Sequence, residues 1–155
     1  MRWITLGLVV VMAAACGPSA EELAQAAVEA ARAEQDSLVA FAAETFDASV
    51  FDTLTWEDDQ KKIDRGVQVF NFSCAKCHGQ RGAGDGGWVQ GTDTLTPPSF
   101  ADPAWAMGED VNAIRRAIFV GTTEEMPHWG LAGLKAEAVD AVAAHILTFR
   151  PAEEG

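Results

Sequence analysis

With 155 residues and a net charge of −12, the chain has room for one domain and an extension, and 23 acidic against 11 basic side chains argue against charge-driven binding to nucleic acid or to an anionic membrane surface. Three cysteines is an odd number, so one of them needs its own explanation. Five Trp and eight Phe without a Tyr suit a small domain that encloses a large apolar group.

Residues 1–15 carry Arg2, an apolar run over residues 3–12 and three alanines before Cys16. The run is short for a transmembrane helix and suits the hydrophobic region of a secretory signal peptide. Small residues followed by a cysteine resemble a bacterial lipoprotein cleavage site, although Ala13 stands where such sites usually carry Leu. On that reading Cys16 is the lipidated first residue of the mature chain and anchors it to a membrane. An uncleaved signal anchor and simple secretion are the alternatives, and all three place the remainder outside the cytoplasm, in the periplasm.

Ser19 and Glu22 form a capping box, which predicts a helix over residues 20–45. Its apolar positions are mostly Ala until Leu38, Val39, Phe41 and Phe46, too weak a stripe to build a core, and its acids far outnumber the single Arg32. Residues 16–54 therefore read as the lipid-anchor cysteine and an acidic helical spacer, with a dimerising or partner-binding helix as the other reading. A second capping box at Thr55 and Asp58 predicts a helix over 55–71, with Asp58 and Asp59 favourable to its dipole.

That helix leads into Cys74-Ala75-Lys76-Cys77-His78. Two thiols and an imidazole at this spacing suit covalent attachment of one haem c, with Cys74 and Cys77 forming thioethers and His78 lying under the iron as an axial ligand. A redox dithiol and half of a zinc site are the rival readings. The first lacks a βαβ context, and the second would need further ligands, while the remaining cysteine, Cys16, sits far upstream.

Glycines over residues 79–87 signal a loop, and Trp88 and Val89 are placed to cover a haem edge. The prolines of 96–100 make that segment extended, and a carbonyl within it is a candidate acceptor for the second ring N–H of His78. Val111, Ile114, Ala117 and Ile118 predict a helix over 110–120, ended by Gly121. Of Arg115 and Arg116 on it, at least one reads as solvated and the other as a candidate partner for a haem propionate. Met126-Pro127-His128 follows in a loop, and apolar spacing predicts a last helix over 134–150 before Pro151, with a frayed tail at 152–155.

Gly66 and Phe70 lie eight and four residues before Cys74 on one helical face. With the Met-Pro loop and the last amphipathic helix, this pattern resembles class I cytochrome c over residues 55–151, an all-α fold around a covalent haem. The resemblance implies that Gly66 lets the last helix cross closely, that Phe70 packs beside Phe149, that Met126 is the distal ligand, and that Pro97 or Pro98 orients His78. Iron would then be held by His78 and Met126. His128 is the serious rival to Met126, whereas Met107 reads as packing and His145 as a polar-face or capping residue. The pieces around Cys77, Gly82 and Met126 look most like bacterial periplasmic mono-haem cytochromes and the cytochrome c domains of terminal oxidases.

The implied function is electron transfer, not catalysis, between membrane respiratory or photosynthetic complexes. Glu124 and Glu125 beside the exposed edge would favour a basic docking face on the redox partner. A haem-bearing subunit fixed in a membrane oxidoreductase and a ligand-binding or peroxidatic haem protein are the alternatives.

Overall fold

Helix α1 spans Ala20–Thr45. It opens on the expected capping box: the Glu22 amide donates to Ser19 Oγ at 3.2 Å, and the Ser19 amide donates to the Glu22 carboxylate at 2.6 Å. The computed structural model describes residues 17–122 and 126–150. Residues 20–34 of α1 are exposed, but its end is packed. Ala42 is fully buried, and the Phe46 ring lies 5.9 Å from that of Phe51 and 5.5 Å from that of Phe119. The apolar core therefore reaches upstream of Thr55, through Phe46, Phe51 and Leu54.

Helix α2 covers Asp59–Val69 and starts later than the sequence predicts. Asp58 is its N-cap, accepting from the Lys61 amide at 2.7 Å. Trp56 is drawn the other way, because its indole N–H donates to the buried Asp140 carboxylate at 2.8 Å, and this tertiary bond holds the preceding segment out of the helix. Beyond Val69 the chain widens into a π-helical turn, Phe70–Cys74, and returns to α-helix over Ala75–His78, here α3. Such an inserted residue re-aims the side chains that follow it. Phe70 is fully buried here while Phe72 is 91% exposed.

A hairpin of two-residue strands, β1 (Val89–Gln90) and β2 (Asp93–Thr94), pairs Val89 with Thr94 and was not foreseen. It is too short to change the all-α class. Helix α4, Val111–Val120, is capped by Asp110, which accepts from the Asn112 and Ala113 amides, and it ends at Gly121 in the left-handed region. Helix α5, Ala136–Leu147, is shorter than the apolar pattern suggests, the chain continuing to Arg150 in tight turns.

Helix α5 is the centre of the fold, with Ala138 to Ala143 and Ile146 all buried. Helix α2 crosses it at Gly66, where any Cβ would collide with the Ala141 carbonyl oxygen and His145 Cβ. That is the close crossing expected of Gly66. One turn on, the Phe70 ring meets Phe149 at 5.2 Å and His145 at 5.3 Å between centroids.

Candidate functional site

The motif helix α3, the extended 95–100 segment, α4 and the loop after it surround a cavity of about 330 Å³, with Ile146 of α5 in its wall. Its lining holds Cys74, Cys77, His78, Pro97, Pro98, Phe100, Trp105, Met107, Ile114, Ile118, Met126 and Trp129. Aromatic and aliphatic walls with a few convergent polar groups describe a site for an apolar ligand. Two cysteines and an imidazole in one wall add the means to bond such a ligand and its metal.

The glycine loop is what holds α3 in this wall. Gly84 and Gly86 donate their amides to the carbonyls of His78 and Cys77 at 2.9 and 3.2 Å, satisfying the end of the helix. A Cβ on Gly84 would strike the Pro97 carbonyl oxygen, so this loop and the proline segment meet backbone to backbone. Phe100 then stacks on the His78 ring, 4.7 Å between centroids at 23°.

The chemistry of the three motif residues fits a covalent haem. His78 Nδ1 is buried with no hydrogen-bond partner, so the proposed bond from this ring to a carbonyl of 96–100 is not formed in this structure. Burial also lowers the His78 pKa, which keeps the imidazole neutral, the form that binds a metal. Burial, with the neighbouring Cys77, pushes the Cys74 thiol up to about 12. A reactive redox dithiol has the opposite shift. Among the described residues no cluster of three or more His, Cys, Asp and Glu is arranged to hold a metal ion, which leaves the zinc reading without support.

Two thioethers, those of Met126 and Met107, line the cavity, and neither of the other two histidines does. The backbone holds Met126 in place: its amide donates to Thr122 Oγ1 at 3.0 Å, and its carbonyl accepts from the Thr122 amide at 3.0 Å. Gly121 makes this turn possible, since a Cβ there would meet the backbone of 126–128. Met107 is a site residue that the sequence reading takes only as packing; nothing in its local pattern distinguishes it. His128 lies outside the lining with its Nδ1 buried and unpartnered. His145 is on the far side of α5, held edge-on by Phe70 and Phe149.

The two arginines of α4 do not line the cavity. Arg116 is exposed, and Arg115 is taken by Asp140, to which its Nε donates at 2.9 Å with a second bond from Nη2 to the same oxygen. Lys62 Nζ reaches the other oxygen of Asp140 at 2.9 Å. A carboxylate 2% exposed and bound by Lys62, Arg115 and Trp56 was not foreseen, because an Asp in an apolar helix gives no sign of its partners. Trp88 lines the cavity with Lys76 Nζ 4.3 Å above its ring, while Val89 is exposed in the hairpin. Cys16, Glu124, Glu125, Pro151 and the 152–155 tail lie outside the described residues. Among those described, no helix is long and apolar enough to cross a membrane.

Residues 61–146 match the family model for subunit III of cbb3-type cytochrome c oxidase. A cbb3-type cytochrome c oxidase subunit CcoP from Rhodobacter capsulatus is 29% identical over 94 residues, covering 57% of this chain and 29% of its own length. The cbb3-type subunit FixP from Azorhizobium caulinodans is 31% identical over 72 residues, covering 46% of this chain and 22% of its own. The chain thus spans less than a third of either relative's length. No solved structure matches it.

Proposed function

Since the match covers more than half of the chain, the protein belongs to the family of cbb3-type cytochrome c oxidase subunit III, a c-type cytochrome, and from that premise we propose that it is a mono-haem electron carrier serving a membrane oxidase of this type. The observation that carries the reading is the cavity itself, with Cys74, Cys77 and the unpartnered His78 in one wall and Met126 in the lining. Cys74 and Cys77 would hold the macrocycle through thioethers, and His78 and Met126 would be the ligands to its iron. When bound, the iron porphyrin supplies one-electron ferric and ferrous chemistry. The chain contributes a dry, apolar enclosure that fixes both ligands, so that little has to rearrange when charge changes. A thioether opposite an imidazole also raises the potential relative to a second imidazole.

Pro97 and Pro98 share the cavity lining with His78, and one or the other is the residue proposed to orient it. Lipidated Cys16 is the proposed anchor on the periplasmic face, with the exposed part of α1 as the spacer. Glu124 and Glu125 suit a basic docking face on the partner, which makes association faster at low salt.

The test is a haem stain of the denatured protein, a reduced-minus-oxidised spectrum and the near-infrared sulfur-to-iron band. Retained stain, a low-spin spectrum and loss of the band in Met126→Leu, with the band kept in Met107→Leu, are the results expected. Loss in Met107→Leu alone would move the sixth ligand to Met107. A colourless denatured protein would end the haem reading. Isolation from membranes in mild detergent then separates a travelling carrier from a fixed oxidase subunit.

A further inference from the structure

Helix α1 is more than a tether, because Gln35 within it bonds one end of the loop that carries Met126, and Phe46 just beyond it packs on Phe119, which meets the other end. At the near end of that loop, Gln35 Nε2 of α1 donates to the Thr122 carbonyl at 3.3 Å. Thr122 is the residue that binds Met126 through both its amide and its hydroxyl. At the far end, the Gly130 amide donates to the Phe119 carbonyl at 3.0 Å, and a Cβ on Gly130 would run into the Phe119 ring. Phe46, which follows α1, backs Phe119 at 5.5 Å.

We infer that the end of α1 braces the Met126 loop against α4, making Gln35 and Phe46 positioning residues for the sixth ligand. The inference rests on the assignment of Met126 proposed above. Loops held by few contacts open locally at low cost, and opening here withdraws the thioether from the cavity. A hydrogen bond to Thr122 at one end, and at the other the tilted ring pair of Phe46 and Phe119 behind Gly130, oppose that opening.

Full-length holoprotein carrying Gln35→Met removes the donor at similar size without changing charge, and Phe46→Ala removes the ring contact with Phe119. Gln25→Met, on the exposed part of α1, is the control. We expect carbon monoxide to bind the ferrous form roughly three- to tenfold faster in Gln35→Met than in the parent, and amides of residues 122 and 126–130 to exchange faster by a similar factor. The control should match the parent in both. Parent-like rates in Gln35→Met and Phe46→Ala overturn the brace, as does a gain confined to Phe46→Ala that tracks a fall in Tm. Met126→Leu keeps the two ideas apart: survival of its near-infrared band defeats the ligand assignment, whereas amide exchange in the Gln35 variant judges the brace without reference to iron.

Discussion

Helix α5 has two sides that are completed in different ways. Toward α2 the chain finishes its own packing: backbone meets backbone at Gly66, Phe70 is fully buried, and Asp140 has a donor on each oxygen. Toward the cavity, Ile146 shares its wall with α3, α4 and the loops between them, and His78 Nδ1 has no hydrogen-bond partner. The first side is a finished protein core. The second is a largely apolar cavity wall, against which a bound macrocycle would add the apolar surface that a domain this small lacks.

The sharpest way to break this contrast is to keep the group from being attached. Cys74→Ser with Cys77→Ser should abolish covalent haem staining outright. Amides of 95–105 and 126–130 should then exchange near the unprotected rate while those of α2 and α5 remain protected. Uniform loss of protection would mean that the α2–α5 side is not independent of the cavity side. Gly66→Val attacks that other side. The new side chain collides with the Ala141 carbonyl, which cannot move without α5, so a loss of about 2–4 kcal/mol is expected from denaturant unfolding.

Asp140 sharpens the contrast electrostatically. Burial raises its carboxyl, but bonds from Lys62, Arg115 and Trp56 together outweigh burial and hold it below the ordinary range. A depressed folded pKa means that the stabilisation is complete above about pH 4 and is lost as pH falls through the lower folded value. Asp140→Asn leaves Lys62 and Arg115 without their counter-charge and should cost about 2–3 kcal/mol at neutral pH. Its stability should also fall less steeply than the parent's on acidification, as chemical denaturation at a series of pH values would reveal.

Local chemistry explains which of these features could be read in advance. A motif such as Cys74 to His78 keeps its meaning wherever it sits, and the Ser19 cap acts within one helical turn, so these were legible; the Asp110 cap acts over the same distance but was not foreseen. Gly66 was legible only through the family resemblance, since a lone glycine in a helix does not say which backbone it will meet. Helix α2 begins at Asp59 and not at Thr55 because Trp56 answers to a residue 84 positions away. Met107 and the Asp140 cluster depend likewise on distant partners, and no periodicity encodes them. The packed end of α1 was missed for a related reason: Phe46 and Phe51 follow a long Ala-rich stretch, and their partners in α4 are distant in the sequence.

The smallest effect should come from the part of the chain outside both sides of α5. Residues 20–34 of α1 are exposed, so nothing except the helix itself depends on how that helix begins. Ser19→Ala removes the oxygen that receives the Glu22 amide and should let the first turn fray, with amides near Glu22 exchanging roughly three- to tenfold faster. The Tm and the haem spectrum should stay at parent values, because fraying near residue 20 stops well short of Gln35, where α1 first touches the domain. A fall in Tm would show that the two ends of α1 melt together, and that the exposed part is one cooperative unit with the packed end.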